Sequence, residues 1–102
     1  MSDPICRIYL GARETNGRVF TPADEEIMRE ILGRFFHGWT IQKGEGQWQG
    51  TSEETRIITV VDSPTNYRAP GAETLRRCAE ALKAALEQAS LLVERTGSAK
   101  EA

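Results

Sequence analysis

The chain's 102 residues suffice for one hydrophobic core and are too few for two, and 39% hydrophobic against 27% charged residues suits a globular domain and argues against disorder over most of the length. With 13 basic and 15 acidic residues the net charge is −2, which lacks the basic footprint that general nucleic-acid binding needs. No run approaches the roughly 20 apolar residues of a membrane span, and Met1-Ser2-Asp3-Pro4 places an acid where an export signal carries bases. The expectation is a cytoplasmic protein with no membrane association.

Ile5 to Leu10 reads as a first strand ending at Gly11, with Cys6, Ile8 and Leu10 on one face and Ile5, Arg7 and Tyr9 on the other. Residues 12–20 read as a loop around the turn pair Asn16-Gly17. Thr21-Pro22-Ala23-Asp24 then forms a capping-box-like helix start: a hydroxyl acceptor, a proline suited to the first helical position, and an acid where the helix dipole favours one. Ile27, Met28, Ile31, Leu32, Phe35 and Phe36 recur at helical spacing, and Gly38 is placed to end the helix in the left-handed region.

Trp39 to Lys43 reads as a second strand. Gly44-Glu45-Gly46-Gln47-Trp48-Gln49-Gly50 reads as a hairpin tip, because three of its seven residues are glycine. Glu53 to Val61 is the best strand in the chain, with β-branched residues on both faces at its end, as expected of a central strand buried on both sides there. A loop over 62–71 follows, and then a helix from Ala72 with Leu75, Cys78, Ala79, Leu82, Ala85, Leu86 and Ala89 in one apolar stripe. Ser90 to Arg95 reads as a last strand.

The order β-α-β-β-α-β predicts an α+β ferredoxin-like sandwich, two helices on one face of a four-stranded antiparallel sheet. Residues 1–95 make the single domain, and 96–102 are expected to fray as a tail. The sheet's other face is then open, and a homo-oligomer formed through that face is the natural way to cover it.

The residues resemble, in order over about nine-tenths of the chain, a bacterial family of small domains of unknown function. The matching stretches are Ile8-Tyr9-Leu10-Gly11, Phe35-Phe36-His37-Gly38-Trp39-Thr40-Ile41, Gly44-Glu45-Gly46-Gln47-Trp48, Glu54-Thr55-Arg56-Ile57-Ile58 and Gln88-Ala89-Ser90-Leu91-Leu92-Val93. The resemblance implies the fold and brings no activity or catalytic residue with it.

No phosphate-binding loop, dinucleotide fingerprint, metal-ligand cluster or nucleophile elbow occurs, so no cofactor or metal is expected. Cys6 and Cys78 fit no metal or redox spacing and read as small buried hydrophobes. His37 sits at a helix end, where its charge complements the dipole. Glu54 and Arg56 share one strand face, Glu53 and Thr55 the other. Glu54 is thus either a base of raised pKa or the partner of Arg7 in a structural ion pair. Trp39 and Trp48 flank the glycines and suit core, interface or stacking roles. Arg68, ahead of the second helix, suits an anion.

Three readings follow. The leading one is a non-enzymatic, homo-oligomeric binding or interaction module in which Arg7, Tyr9, Trp39, Trp48 and Arg68 contact a protein partner or a small anionic ligand. The second is a small enzyme with Glu54 as base, and Arg7, Arg56 or Tyr9 orienting an anionic substrate. The third is a mobile-element or phage-type inhibitor of a host component.

Overall fold

Period-two burial builds the first element, β1 (Ile5–Gly11), which sinks Cys6, Ile8 and Leu10 and leaves Ile5, Arg7, Tyr9 and Gly11 on the opposite face. The computed structural model describes residues 4–12, 19–48, 50–68, 73–88, 91–95 and 98–101. Helix α1 (Pro22–Phe35) starts as expected: the Thr21 hydroxyl accepts from the Asp24 amide at 3.1 Å, and the Asp24 carboxylate accepts from the Thr21 amide at 2.9 Å. Its buried stripe is Met28, Ile31 and Leu32.

The helix does not end through Gly38. Phe36 swings into extended backbone and its ring packs edge-on against Tyr67 at 5.9 Å, so burial of that ring ends the helix before Gly38 is reached. Asn66 completes the closure. Its side chain accepts from the Gly38 amide at 2.8 Å and donates to the carbonyls of Gly38 and Val61 at 3.1 and 3.0 Å.

Strands β2 (Thr40–Trp48) and β3 (Thr51–Val61) form a hairpin, and its turn lies later than the glycine count suggested. Gly50, at φ 79°, takes the left-handed conformation that a turn requires. Gly44 and Gly46 stay inside β2, paired with Thr55 and Glu53 of β3. Helix α2 (Thr74–Ala85) buries Thr74, Cys78, Ala79 and Leu82. Leu86 follows it into the core and Ala85 faces solvent, while Ala89 lies outside the described residues.

Strands β4 (Leu92–Arg95) and β5 (Ser98–Glu101) complete one antiparallel sheet of order β2-β3-β1-β4-β5. The order β2-β3-β1-β4, with two helices, is the expected ferredoxin-like arrangement. Of the stretch 96–102 expected to fray, residues 96, 97 and 102 lie outside the described residues, and 98–101 pair with β4, whose outer edge would otherwise present unpaired amides and carbonyls.

The core lies between sheet and helices, where Ile8, Leu10, Leu32, Phe36, Ile58 and Leu82 are all fully buried. Each such side chain contributes about 1.5–3 kcal/mol relative to exposure. No described element crosses the sheet's other face. Val61, expected to be buried on a two-sided strand, is therefore exposed. No described helix is long and apolar enough to cross a membrane.

Candidate functional site

The open face is set by strand register, and reads as rows running across the sheet. Ile5 pairs with Val61, and the next row is Glu94, Arg7, Thr59 and Thr40. Leu92, Tyr9, Ile57 and Gln42 follow, and then Gly11, Thr55 and Gly44. Thr55 is thus flanked on both sides by residues without a side chain.

The glycines make room for the side chains of β3. A Cβ on Gly11 would collide with the Glu53 carboxylate, and one on Gly46 would lie 2.7 Å from the Thr55 hydroxyl. Glu53 therefore lies over Gly11, and Thr55 leans over Gly46. The Thr55 hydroxyl is shielded from solvent yet has no hydrogen-bond partner, an arrangement buried polar atoms rarely keep unless something else satisfies them. The space above these glycines is thus taken up by side chains of β3, with the Glu53 carboxylate over Gly11, the Thr55 hydroxyl over Gly46 and Ile57 over Gly44.

The helix-facing side of the same strand end holds a second charged group. Arg56 is 2% exposed; its Nη2 lies 2.8 Å from Glu54 and 3.3 Å from Glu25 of α1, and its Nη1 donates to the Thr55 carbonyl at 3.3 Å. The Phe20 ring stacks on the guanidinium, 5.1 Å from its carbon to the centroid. The Glu54 contact is close enough for an ion pair but is not aligned as a hydrogen bond, and Arg56 Nε has no partner.

This geometry disposes of one pairing and keeps others. Arg7 does not reach Glu54, because the two occupy opposite faces. Arg7 instead pairs with Glu94 at 3.5 Å, and Glu94 also accepts from the Tyr9 hydroxyl at 2.7 Å, which raises the phenol's pKa. Glu54 and Tyr9 are likewise on opposite faces, so no single pocket holds both. Trp39 packs against α1, 3.6 Å from the position a Gly33 Cβ would take. Arg68 is exposed beside the end of α1, its amide donating to the Phe35 carbonyl at 2.9 Å. Of the expected contact residues, then, the structure brings Arg7 and Tyr9 together and places Trp39 and Arg68 elsewhere. Trp48 closes β2 opposite Thr51, and its side chain lies outside the described residues.

Asp62 anchors a further cluster at the far end of the sheet. It accepts from the Tyr67 hydroxyl and pairs with Arg95 at 2.9 Å. Burial pushes the Tyr67 phenol up to about 12 and the Cys78 thiol likewise to about 12, and burial together with Asp62 raises Cys6 to about 11. Both thiols are buried and free. Among the described residues no group of three or more His, Cys, Asp and Glu side chains is placed to hold a metal.

Sequence reasoning missed Gly11, Glu53, Glu25 and Phe20. The period-two spacing of Gly44 and Gly46 did carry a signal, since two glycines at i and i+2 clear one face of a strand.

No family model matches the chain, and no curated protein matches it. Two solved structures are similar in fold, a phage SAM lyase in complex with S-methyl-5'-thioadenosine and a phage SAM lyase in its apo state. Each is 15% identical with a TM-score of 0.60, over 99% of this chain and 89% of the other. At that identity the likeness is one of fold.

Proposed function

We propose that this chain is a small-molecule-binding domain whose ligand lies across the row of Gly11, Thr55 and Gly44, with a hydroxyl-bearing or cationic group against Glu53. The observation that carries this reading is the Thr55 hydroxyl, shielded and without a partner between two glycines, beside a carboxylate laid over bare backbone. A ligand here would meet the two polar groups that could orient it, a half-buried carboxylate and a hydroxyl that lacks a partner.

The charges argue for an uncharged or cationic ligand in place of the anionic one expected from the sequence. Arg7 is tied to Glu94, and Arg56 is on the other face between Glu25 and Glu54. A phosphate beside Glu53 would therefore meet a carboxylate with neither Arg7 nor Arg56 free to answer it. The fold likeness to a protein that binds S-methyl-5'-thioadenosine supports a nucleoside-like ligand of this kind. It also lends the phage-type reading coarse support, since binding or consuming a small host molecule is one way to act on a host.

Titration calorimetry with S-methyl-5'-thioadenosine tests the proposal. Binding is expected in the unaltered chain, weakened by at least about tenfold in Glu53→Ala and in Thr55→Val, each loss worth about 1.4 kcal/mol or more. Adenosine monophosphate, which adds a phosphate to the same ring system, should bind less tightly. No binding at millimolar ligand, or equal binding by both variants, refutes the site. A second reading, catalysis on SAM, rests on the fold likeness to a lyase. Chromatographic release of S-methyl-5'-thioadenosine from SAM would establish it.

A further inference from the structure

We infer that Arg68 and Arg77, flanking the ring of Phe35, form a binding site for the phosphate group of a phosphomonoester. The inference is independent of the row of Gly11, Thr55 and Gly44. That row lies toward the start of β3, whereas Asn66, beside the arginine site, bonds the Val61 carbonyl at its end.

The site is built by a short antiparallel pairing outside the main sheet. Phe36 and Tyr67 are bridged, the Arg68 amide donates to the Phe35 carbonyl at 2.9 Å, and the His37 amide donates to the Asn66 carbonyl at 2.8 Å. Phe35 therefore lies opposite Arg68. Alternation sends Phe36 and Tyr67 inward, where their rings meet edge-on, so Phe35 and Arg68 share the outward side. Side chains opposite one another in such a pair start about 4.5–5.5 Å apart. Arg77 reaches the same ring from α2, its guanidinium carbon 5.8 Å from the Phe35 centroid. Two arginines from separate elements thus border one half-buried ring.

Their charges set them apart. Arg7, Arg29, Arg34, Arg56, Arg76 and Arg95 each pair with a carboxylate, whereas among the described residues Arg68 and Arg77 pair with none. Acids on the two flanking helices are committed elsewhere, Glu30 to Arg34 at 3.0 Å and Glu73 to Arg76 at 2.8 Å. Glu80, one turn beyond Arg77, makes no ion pair among the described residues. The carbonyls at the end of α1 supply about half a negative charge against two positive ones. In a chain of net charge −2, two unanswered cations at one ring are a local exception.

A phosphate monoester fits that excess. It carries about −1.5 to −2 charge near pH 7, close to what two guanidinium groups offer, and its three oxygens accept from the paired donors of each fork. Stacking on Phe35 holds the plane of Arg77, so little side-chain freedom is lost on binding. A single carboxylate would answer only one of the two charges. Both arginines are exposed, so the site is open to a phosphorylated small molecule and to a phosphorylated side chain alike, and the phosphate is common to both.

Titration of the full chain with inorganic phosphate at low ionic strength, followed by nuclear magnetic resonance, tests the site residue by residue. Saturable shifts are expected at the amide and Nε groups of Arg68 and Arg77. Arg68→Ala and Arg77→Ala should each weaken binding at least about tenfold. Arg29→Ala, which removes an arginine paired with Glu26, should leave it unchanged. All three positions are exposed, and far-UV circular dichroism of each variant checks that the fold is kept. Arg77→Lys keeps the charge and loses the fork, so it should bind between the unaltered chain and Arg77→Ala. O-phosphoserine and glucose 6-phosphate distinguish the carriers. At least about tenfold tighter binding of one assigns the phosphate to a protein side chain or to a small molecule, and equal binding assigns recognition to the phosphate alone. No saturable shift at about 20 mM phosphate, shifts that chloride reproduces at equal ionic strength, or affinity unchanged in either alanine variant overturns the inference.

Discussion

The charged cluster under β3 predicts an asymmetry between removing its cation and removing its anions. Arg56 is 2% exposed, whereas the Glu25 and Glu54 side chains keep 26% and 33% of their surface in water. In the double variant Glu25→Gln, Glu54→Gln, the guanidinium keeps its charge in a buried setting with only neutral acceptors, and an uncompensated buried charge costs about 3–5 kcal/mol. In Arg56→Met the volume is largely refilled by an apolar chain, and the two freed carboxylates can turn into solvent. What is lost is their pairing and the stacking on Phe20, together about 1–2 kcal/mol. The incomplete satisfaction of the cluster, with Arg56 Nε unpartnered and Glu54 in contact but misaligned, keeps the cost of losing the arginine low. Urea unfolding followed by two probes measures both variants, with an unchanged m-value as the check that only stability has moved. The double variant should be the less stable by about 2 kcal/mol or more, which corresponds to roughly 8–16 °C in Tm for a domain of this size. If Arg56→Met proves as costly as the double variant, the argument from burial is wrong and the arginine acts through packing.

Asn66→Asp preserves shape and acceptance from the Gly38 amide, but turns lone pairs toward two carbonyls that the amide now bonds. It should cost about 1–3 kcal/mol by thermal unfolding and exceed Asn66→Ala, which loses the bonds without the repulsion. Equal or smaller loss in the aspartate variant would contradict the assigned amide orientation. The Tyr67 phenol, raised by burial and then by its bond to Asp62 from 10.0 to about 12, favours the neutral form in the folded state. Its contribution is therefore complete below pH 10 and is lost as pH rises toward 12. Tyr67→Phe should flatten the fall of stability with pH across that window. The flattening will be partial, because Cys6 and Cys78, raised from 9.0 to about 11 and about 12, contribute a loss of the same sign. An unchanged slope in the variant would remove Tyr67 from the account.

The element order, the capping box at Thr21 and the stripe from Met28 to Leu32 were legible because each depends on neighbours a few residues away. The division of β3 into Glu53 and Thr55 on one face and Glu54 and Arg56 on the other was legible for the same reason. What could not be read was the lateral neighbour. Gly44 and Gly46 looked like a turn because glycine is the commonest turn residue, yet their use is to clear space for Thr55 and Glu53 on the next strand. Arg7 looked like a partner for Glu54 because β1 and β3 adjoin; a pleat that sends the two to opposite faces forbids it. Residues 98–101 looked like part of a tail because they are small and polar, and the unpaired edge of β4 explains a strand there.

The pleat of β3 also explains why the inward charges read as structural and the outward polar groups as functional. An inward charge loses its hydration when the helices close over it, so folding requires the chain itself to answer it, and Arg56 is answered by Glu25 from α1, Glu54 from its own strand and the ring of Phe20. Those groups are thereby consumed, and a ligand would have to displace them. Glu53 and Thr55 face outward in adjacent rows, Thr55 between Gly11 and Gly44 and Glu53 opposite Gly46, and no neighbouring side chain answers the Thr55 hydroxyl. Folding has thus left a shielded hydroxyl without a partner on this face, whereas on the other face it has answered every charge. Two residues one step apart on a single strand, Glu53 and Glu54, thus meet different demands, and the difference lies in which layer covers each of them.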